Sequence, residues 1–233
     1  MAHQNPADEI QNEINEVKSQ LQELQSAVRL GEVRDEIEDF GTSLHGLDRQ
    51  VQSLRENGYV FEKGLEERAA DFEQEWHTLQ RTLNTQIIQE AGRLEDKLQP
   101  LQTQVNQLPV EGGRLTGFLP RVKNIGSQLD VLEDQVDEAA RSIRGMYDQF
   151  RGEVHDLKNH LGSVEWTLTE LSEASFQLLA AESAIMAVKA AWARGGESKK
   201  DDPEGVLYLT DQRLLFEQKE KVTTKKVLFI PTE

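Results

Sequence analysis

The 233-residue chain contains no cysteine. That excludes disulfides, thiolate metal sites and a cysteine nucleophile, and it suits a reducing cytoplasm. Aromatic side chains are only 6% of the total, a composition better matched to long helices than to a compact domain of this length. No apolar run approaches the ~18 residues of a membrane span. The opening Met1-Ala2-His3-Gln4-Asn5-Pro6 lacks the apolar centre of a signal peptide. Positive charge is also scarce, with 26 Lys and Arg against 42 Asp and Glu and a formal net charge of -16. Nearly all of that excess lies in residues 1–194, so this stretch repels nucleic-acid phosphates and anionic lipid alike. A soluble cytoplasmic protein that binds no nucleic acid is the expectation.

Signs of catalysis are missing too. The histidines His3, His45, His77, His155 and His160 form no His-Glu-x-x-His or other ligand spacing. Gly112-Gly113-Arg114-Leu115-Thr116-Gly117 lacks both the Gly-Lys-Ser/Thr ending of a phosphate-binding loop and a preceding strand, and reads as a turn. There is no nucleophile-elbow pattern, and the many acidic pairs read as solvated helix faces. No enzyme, cofactor or metal is therefore expected.

What is present is a stripe. From Pro120 to about Ala181, apolar residues recur in alternating three- and four-residue steps: Val122, Ile125, Leu129, Leu132, Val136, Ala139, Ile143, Met146, Phe150. After an extra four-residue step it resumes through Val154, Leu157, Leu161, Val164, Leu168, Leu171, Ser175 and Leu178. Such spacing holds a narrow seam on one side of a helix that coils round a partner. A second stripe runs from Phe61 through Leu65, Phe72, Trp76, Leu79, Leu83, Leu94 and Leu101 to Leu108, with Pro100 expected to kink it or begin its final piece. Residues 109–120, rich in Pro and Gly, form the clearest break. A short connection makes the flanking helices antiparallel. With the turn near Arg114 and Leu115, Leu101 faces Leu129, Leu98 faces Leu132, Leu94 faces Val136 and Leu79 faces Phe150. The expected seam therefore includes Leu101, Leu129, Leu132, Val136, Ile143, Phe150, Leu157 and Leu161.

The N-terminal part opens on Asn5-Pro6-Ala7-Asp8, a helix-start signal. Its stripe, Ile10 to Val28, loses phase at 31–36 and restarts at Ile37. Asn57-Gly58 reads either as a left-handed helix stop with Tyr59 and Val60 following, or as a weak point in a continuing helix. Residues 1–56 thus either extend the helical body or fold back on it.

From Glu182 the period changes. Ile185, Val188 and Trp192 would continue a helix, whereas Met186, Val188, Ala190 and Trp192 alternate as in a strand. After the polar stretch 194–205, the short apolar runs at 206–210, 213–217 and 226–230 read as strands. Glu204-Gly205-Val206-Leu207-Tyr208-Leu209-Thr210-Asp211-Gln212-Arg213-Leu214-Leu215-Phe216-Glu217 resembles the early hairpin of bacterial GRAM or pleckstrin-homology-like (PH-like) domains, and 182–192 is similar to their first strand. The resemblance implies a strongly bent sheet of seven strands closed by a helix. This chain reaches Glu233 after about four strands, so the sheet is either cut short or completed by something else.

The expected fold is mainly α: a coiled-coil hairpin over 1–181, turning at 109–120, followed by a β module over 182–233. Two surfaces stand out as binding candidates. Lys219, Lys221, Lys225 and Lys226 form a basic cluster for an anionic headgroup or acidic partner, or a solubilising loop. Leu115, Phe118 and Leu119 at the turn either dock a partner or pack on one another. The expected role is a non-enzymatic scaffold that forms a homo-oligomer or tethers a protein partner. The alternatives are a peripheral membrane adaptor whose PH-like module reads lipid headgroups, and an accessory rod of an ATPase or secretion machine.

Overall fold

The computed structural model describes residues 6–109, 117–193, 196 and 202–219. The chain is mainly α-helical with a small antiparallel sheet near its C-terminal end. The elements are α1 (Pro6–Ala27), α2 (Gly31–Leu44), α3 (Gly46–Glu56), α4 (Leu65–Asn106), α5 (Leu119–Gly145), α6 (Asp148–Ser172), β1 (Ala184–Ala191), β2 (Glu204–Thr210) and β3 (Leu214–Gln218). They fall into two compact units: residues up to His45 with Asp71–Val154, and Gly46–Ala70 with His155 onward.

In the first unit α4 and α5 form the antiparallel hairpin. Arg121 donates to Gln107 at 2.8 Å and Lys97 to Gln135 at 2.6 Å, which brackets the expected register. Helix α4 runs through Pro100 without restarting. A third helical layer joins these two. Gln20 of α1 donates to Asp130 and Glu133 of α5, and Arg144 of α5 clamps Glu36 of α2 through two 2.8 Å bonds. Residue numbers rise together in these pairs, so α1 and α2 run parallel to α5. Leu129, Ile125, Leu83, Ile87 and Leu94 are buried, as are Ile14, Val17, Leu21 and Ile37 from the third layer. The seam is therefore closed within one chain.

Three expectations are corrected in this part of the fold. The stripe from 120 to 181 is not one helix. It breaks at Met146–Tyr147 and ends as a helix at Ser172. At the break Met146 is exposed and Tyr147 buried, so the inward order is Ile143, Tyr147, Phe150, Val154, and the extra four-residue step falls between Ile143 and Tyr147 instead of between Phe150 and Val154. Phe150 has Trp76 and Phe72 among its ring partners, at 5.9 and 5.6 Å, about one and two turns nearer the start of α4 than Leu79. Phe40 closes the cluster edge-on to Trp76 at 4.8 Å. Gly41 makes this packing possible. A Cβ there would lie 2.7 Å from Trp76 Nε1.

In the second unit α3 stops at Asn57-Gly58. Gly58 has φ 93°, its N–H reaches the Arg55 carbonyl, and the Tyr59 N–H reaches the Leu54 carbonyl, each at 3.0 Å. Paired bonds of this kind close a helix on a left-handed glycine. The chain therefore folds back here. Tyr59 is buried, while Val60 is exposed. Arg55 fixes the turn by donating to the carbonyls of Tyr59, Phe61 and Glu62 and to the Glu66 carboxylate. Residues 184–191 are strand, and the sheet order is β1-β2-β3. Alternation divides its side chains. Ala187, Val206, Tyr208 and Leu215 pack with Trp166 and Leu171 of α6 and with Ala174 and Phe176. By register Met186, Leu209 and Leu214 form one row on the opposite face and Val188, Leu207 and Phe216 another.

Candidate functional site

The second unit holds a groove of about 850 Å³. One wall is α6, with Lys158, His160 and Ser163. The other is β1 from Ile185 to Lys189, and Tyr59 and Glu62 also line it. Helical spacing explains the first wall, because Leu157, Leu161 and Val164 are buried and the intervening polar residues face outward. Thr167 ties helix to strand: its hydroxyl oxygen accepts the Ala187 N–H at 2.9 Å, and its O–H donates to the Ser163 carbonyl.

The end formed by the turn is polar. Tyr59 donates its hydroxyl to Glu62 at 2.9 Å, and the other Glu62 carboxylate oxygen lies 2.8 Å from His160 Nε2. That nitrogen is buried and makes no hydrogen bond among the described residues. Burial, helped by Glu62, pushes the Tyr59 phenol up to about 12. Lys158 is half-buried, and desolvation lowers its ammonium below the ordinary value. It has no ion-pair partner among the described residues.

A second polar centre holds the turn between β2 and β3. The enclosed Glu182 side chain accepts from Arg213 Nε at 2.8 Å, the Thr210 hydroxyl at 2.7 Å and the Leu179 N–H at 2.7 Å. Its bond to Arg213 comes first among the causes that hold its carboxyl at about 2, against an ordinary 4.5. A depressed carboxylate stabilises the fold above the unfolded value and loses that contribution as pH falls through the folded one. The expected result is that Glu182→Gln melts below the parent at pH 7 and that the gap closes between pH 4.5 and about 2. Melting curves with a constant gap over that range would refute the assignment. In the sequence Glu182 stands where the period changes, at the head of the segment similar to a PH-like first strand. Nothing local marks it, because Arg213 is brought to it by the sheet.

All eight expected seam residues are buried. Of the basic cluster, Lys219 lies 3.2 Å from Glu170 and 3.9 Å from Glu217, so its charge is met by carboxylates of this chain. Lys221, Lys225 and Lys226 lie outside the described residues, as do Leu115 and the strand expected at 226–230. Phe118 and Leu119 are half-buried. Among the described residues no three His, Asp or Glu side chains are arranged to hold a metal, and no helix is long and apolar enough to cross a membrane. No family model, curated protein or solved structure matches the chain.

Proposed function

We propose that the protein is a non-enzymatic scaffold of the cytoplasm that self-associates through its β module. The observation that carries this reading is the sheet face turned away from α6. Met186, Val188, Leu209, Leu214 and Trp192 all stand exposed on it or at its end, Leu214 and Trp192 by more than half. Together they offer on the order of 500 Å² of apolar surface, near the size of the largest patch on an ordinary monomer. A second copy is the occupant that fits. Two such faces together would remove about 1,000 Å² from water, where specific interfaces begin, and flat apolar sheets pack at a separation of ~10 Å. Among the described residues the helical seam is buried within one chain, which supports placing association on this face. Light scattering on a sizing column should give a dimer whose fraction rises with concentration. Leu214→Asp combined with Trp192→Ser should run as a monomer. A parent that stays monomeric at every concentration, or a variant that still dimerises, would overturn the reading.

The PH-like resemblance enters here as a second reading. Residues 204–210 and 214–218 lie on adjacent antiparallel strands, with 184–191 as the strand before them, which supports a membrane adaptor built on such a sheet. Flotation with anionic vesicles separates the two readings. The neutralised Lys219 and the net charge of -16 favour the scaffold.

A further inference from the structure

The groove beside β1 has the properties of a strand-receiving slot. In an antiparallel strand, N–H and C=O of one residue point the same way and alternate between neighbours. The Ala187 N–H turns away from β2 to reach Thr167, and the Trp192 N–H turns toward Pro203. Lys189 therefore directs both its backbone groups to the outer edge, as does Ala191, and these groups have no partner among the described residues. The open part of the edge runs from Lys189 to Ala191, at the end of the lined stretch Ile185 to Lys189, because Thr167 already holds the Ala187 N–H.

The charge in the slot is distinctive. Lys158 and Lys189 line it with no carboxylate paired to either among the described residues, in a chain with sixteen more acidic than basic side chains. Glu62 lines the turn end of the slot, where its carboxylate accepts from the Tyr59 hydroxyl and lies beside His160; it is paired with neither lysine. A half-buried ammonium without a counter-ion is costly, and a carboxylate brought in by a ligand relieves that cost. Trp166 and Val164 supply apolar lining between the charges.

We propose that this groove captures an extended acidic segment of a partner protein, which adds as a strand to the free edge of β1 and sets its carboxylates against Lys158 and Lys189. Backbone bonds along the edge give affinity, and the two lysines select sequence. Strand addition of this kind gives the proposed scaffold its partner class, and it rests on that reading.

Fluorescence anisotropy on the full chain tests it with three labelled peptides: Glu-Val-Glu-Val-Glu, the same peptide with N-methylated amides, and Lys-Val-Lys-Val-Lys. The acidic peptide should bind, and the other two should bind at least about tenfold more weakly. Lys189→Glu, an exposed change, and Lys158→Met, which keeps the apolar stem, should each weaken the acidic peptide by about tenfold or more with the far-ultraviolet circular dichroism unchanged. Equal binding of the three peptides, no binding of the acidic one at millimolar concentration, or indifference to Lys189→Glu would each overturn the proposal. Lys189 projects from the sheet face opposite Leu214. Dimerisation should therefore be unmoved by Lys189→Glu, and a failed groove can be told from a failed scaffold.

Discussion

Leu129→Asp is expected to destabilise the protein by about 4 kcal/mol or more, whereas Val131→Asp, two residues along the same helix, should cost about 0.5 kcal/mol or less. Both changes put the same side chain into α5, and Asp and Val differ little in helix preference. What differs is the surroundings. Leu129 is completely enclosed in the first unit, while Val131 is more than half exposed. An aspartate at 129 must either carry its charge into an apolar seam or stay protonated there, and it also leaves the volume of the isobutyl group unfilled. Urea unfolding followed at 222 nm reads the difference directly. Similar midpoints for the two variants would mean that the seam is not where stability resides.

Gly205→Ala should have the second large effect, confined to the sheet. Gly205 is buried on β2 between Ala190 and Gln218. A Cβ built there lies 2.1 Å from the Glu217 carbonyl oxygen and 2.9 Å from Gln218 Cα. Every obstructing atom is backbone, so no rotamer change relieves the clash and β3 itself must move. Overpacking of this sort costs about 1–3 kcal/mol or more. It would also pull Glu217 away from the Ser175 N–H, now at 2.7 Å, and from the Tyr208 hydroxyl, at 3.3 Å. Amide exchange should speed up in β3 and at Ser175, with the amides of α5 unaffected. Unchanged protection at Leu215 and Glu217 would show that the strand tolerates the methyl group and that Gly205 is there for another reason.

How far the sequence could be read follows from which forces act locally. The seam of α4 and α5 was legible because burial imposes a period that any helix must display, and the break at 109–120 because proline and glycine act on their own neighbours. The third layer was not. A heptad stripe records that a helix has a partner, but neither which partner nor how many. The exchange of Met146 for Tyr147 escaped for a related reason. Both are apolar, and only the break after Gly145 selects the later residue. Residues 184–191 were ambiguous because eight residues fit either period, and pairing with β2 settles them as strand. The groove was invisible. Lys158, His160 and Lys189 are ordinary polar residues in sequence, and their meaning comes from Thr167 holding β1 to α6.

The Arg55 clamp bears on how the chain survives among proteases. A protease must draw roughly eight to ten residues into an extended form across its cleft, and exposed loop tips are where this usually succeeds. The turn at 57–64 has the outward marks of such a target, with Glu62, Lys63 and Gly64 exposed. Yet the carbonyls of Tyr59, Phe61 and Glu62 all converge on one guanidinium, and Tyr59 is anchored beneath them. Straightening the turn would break those bonds together and extract a buried ring. Lys63 is thus a trypsin site in sequence that the fold withholds from the enzyme, and the strength of that protection is set by a single arginine.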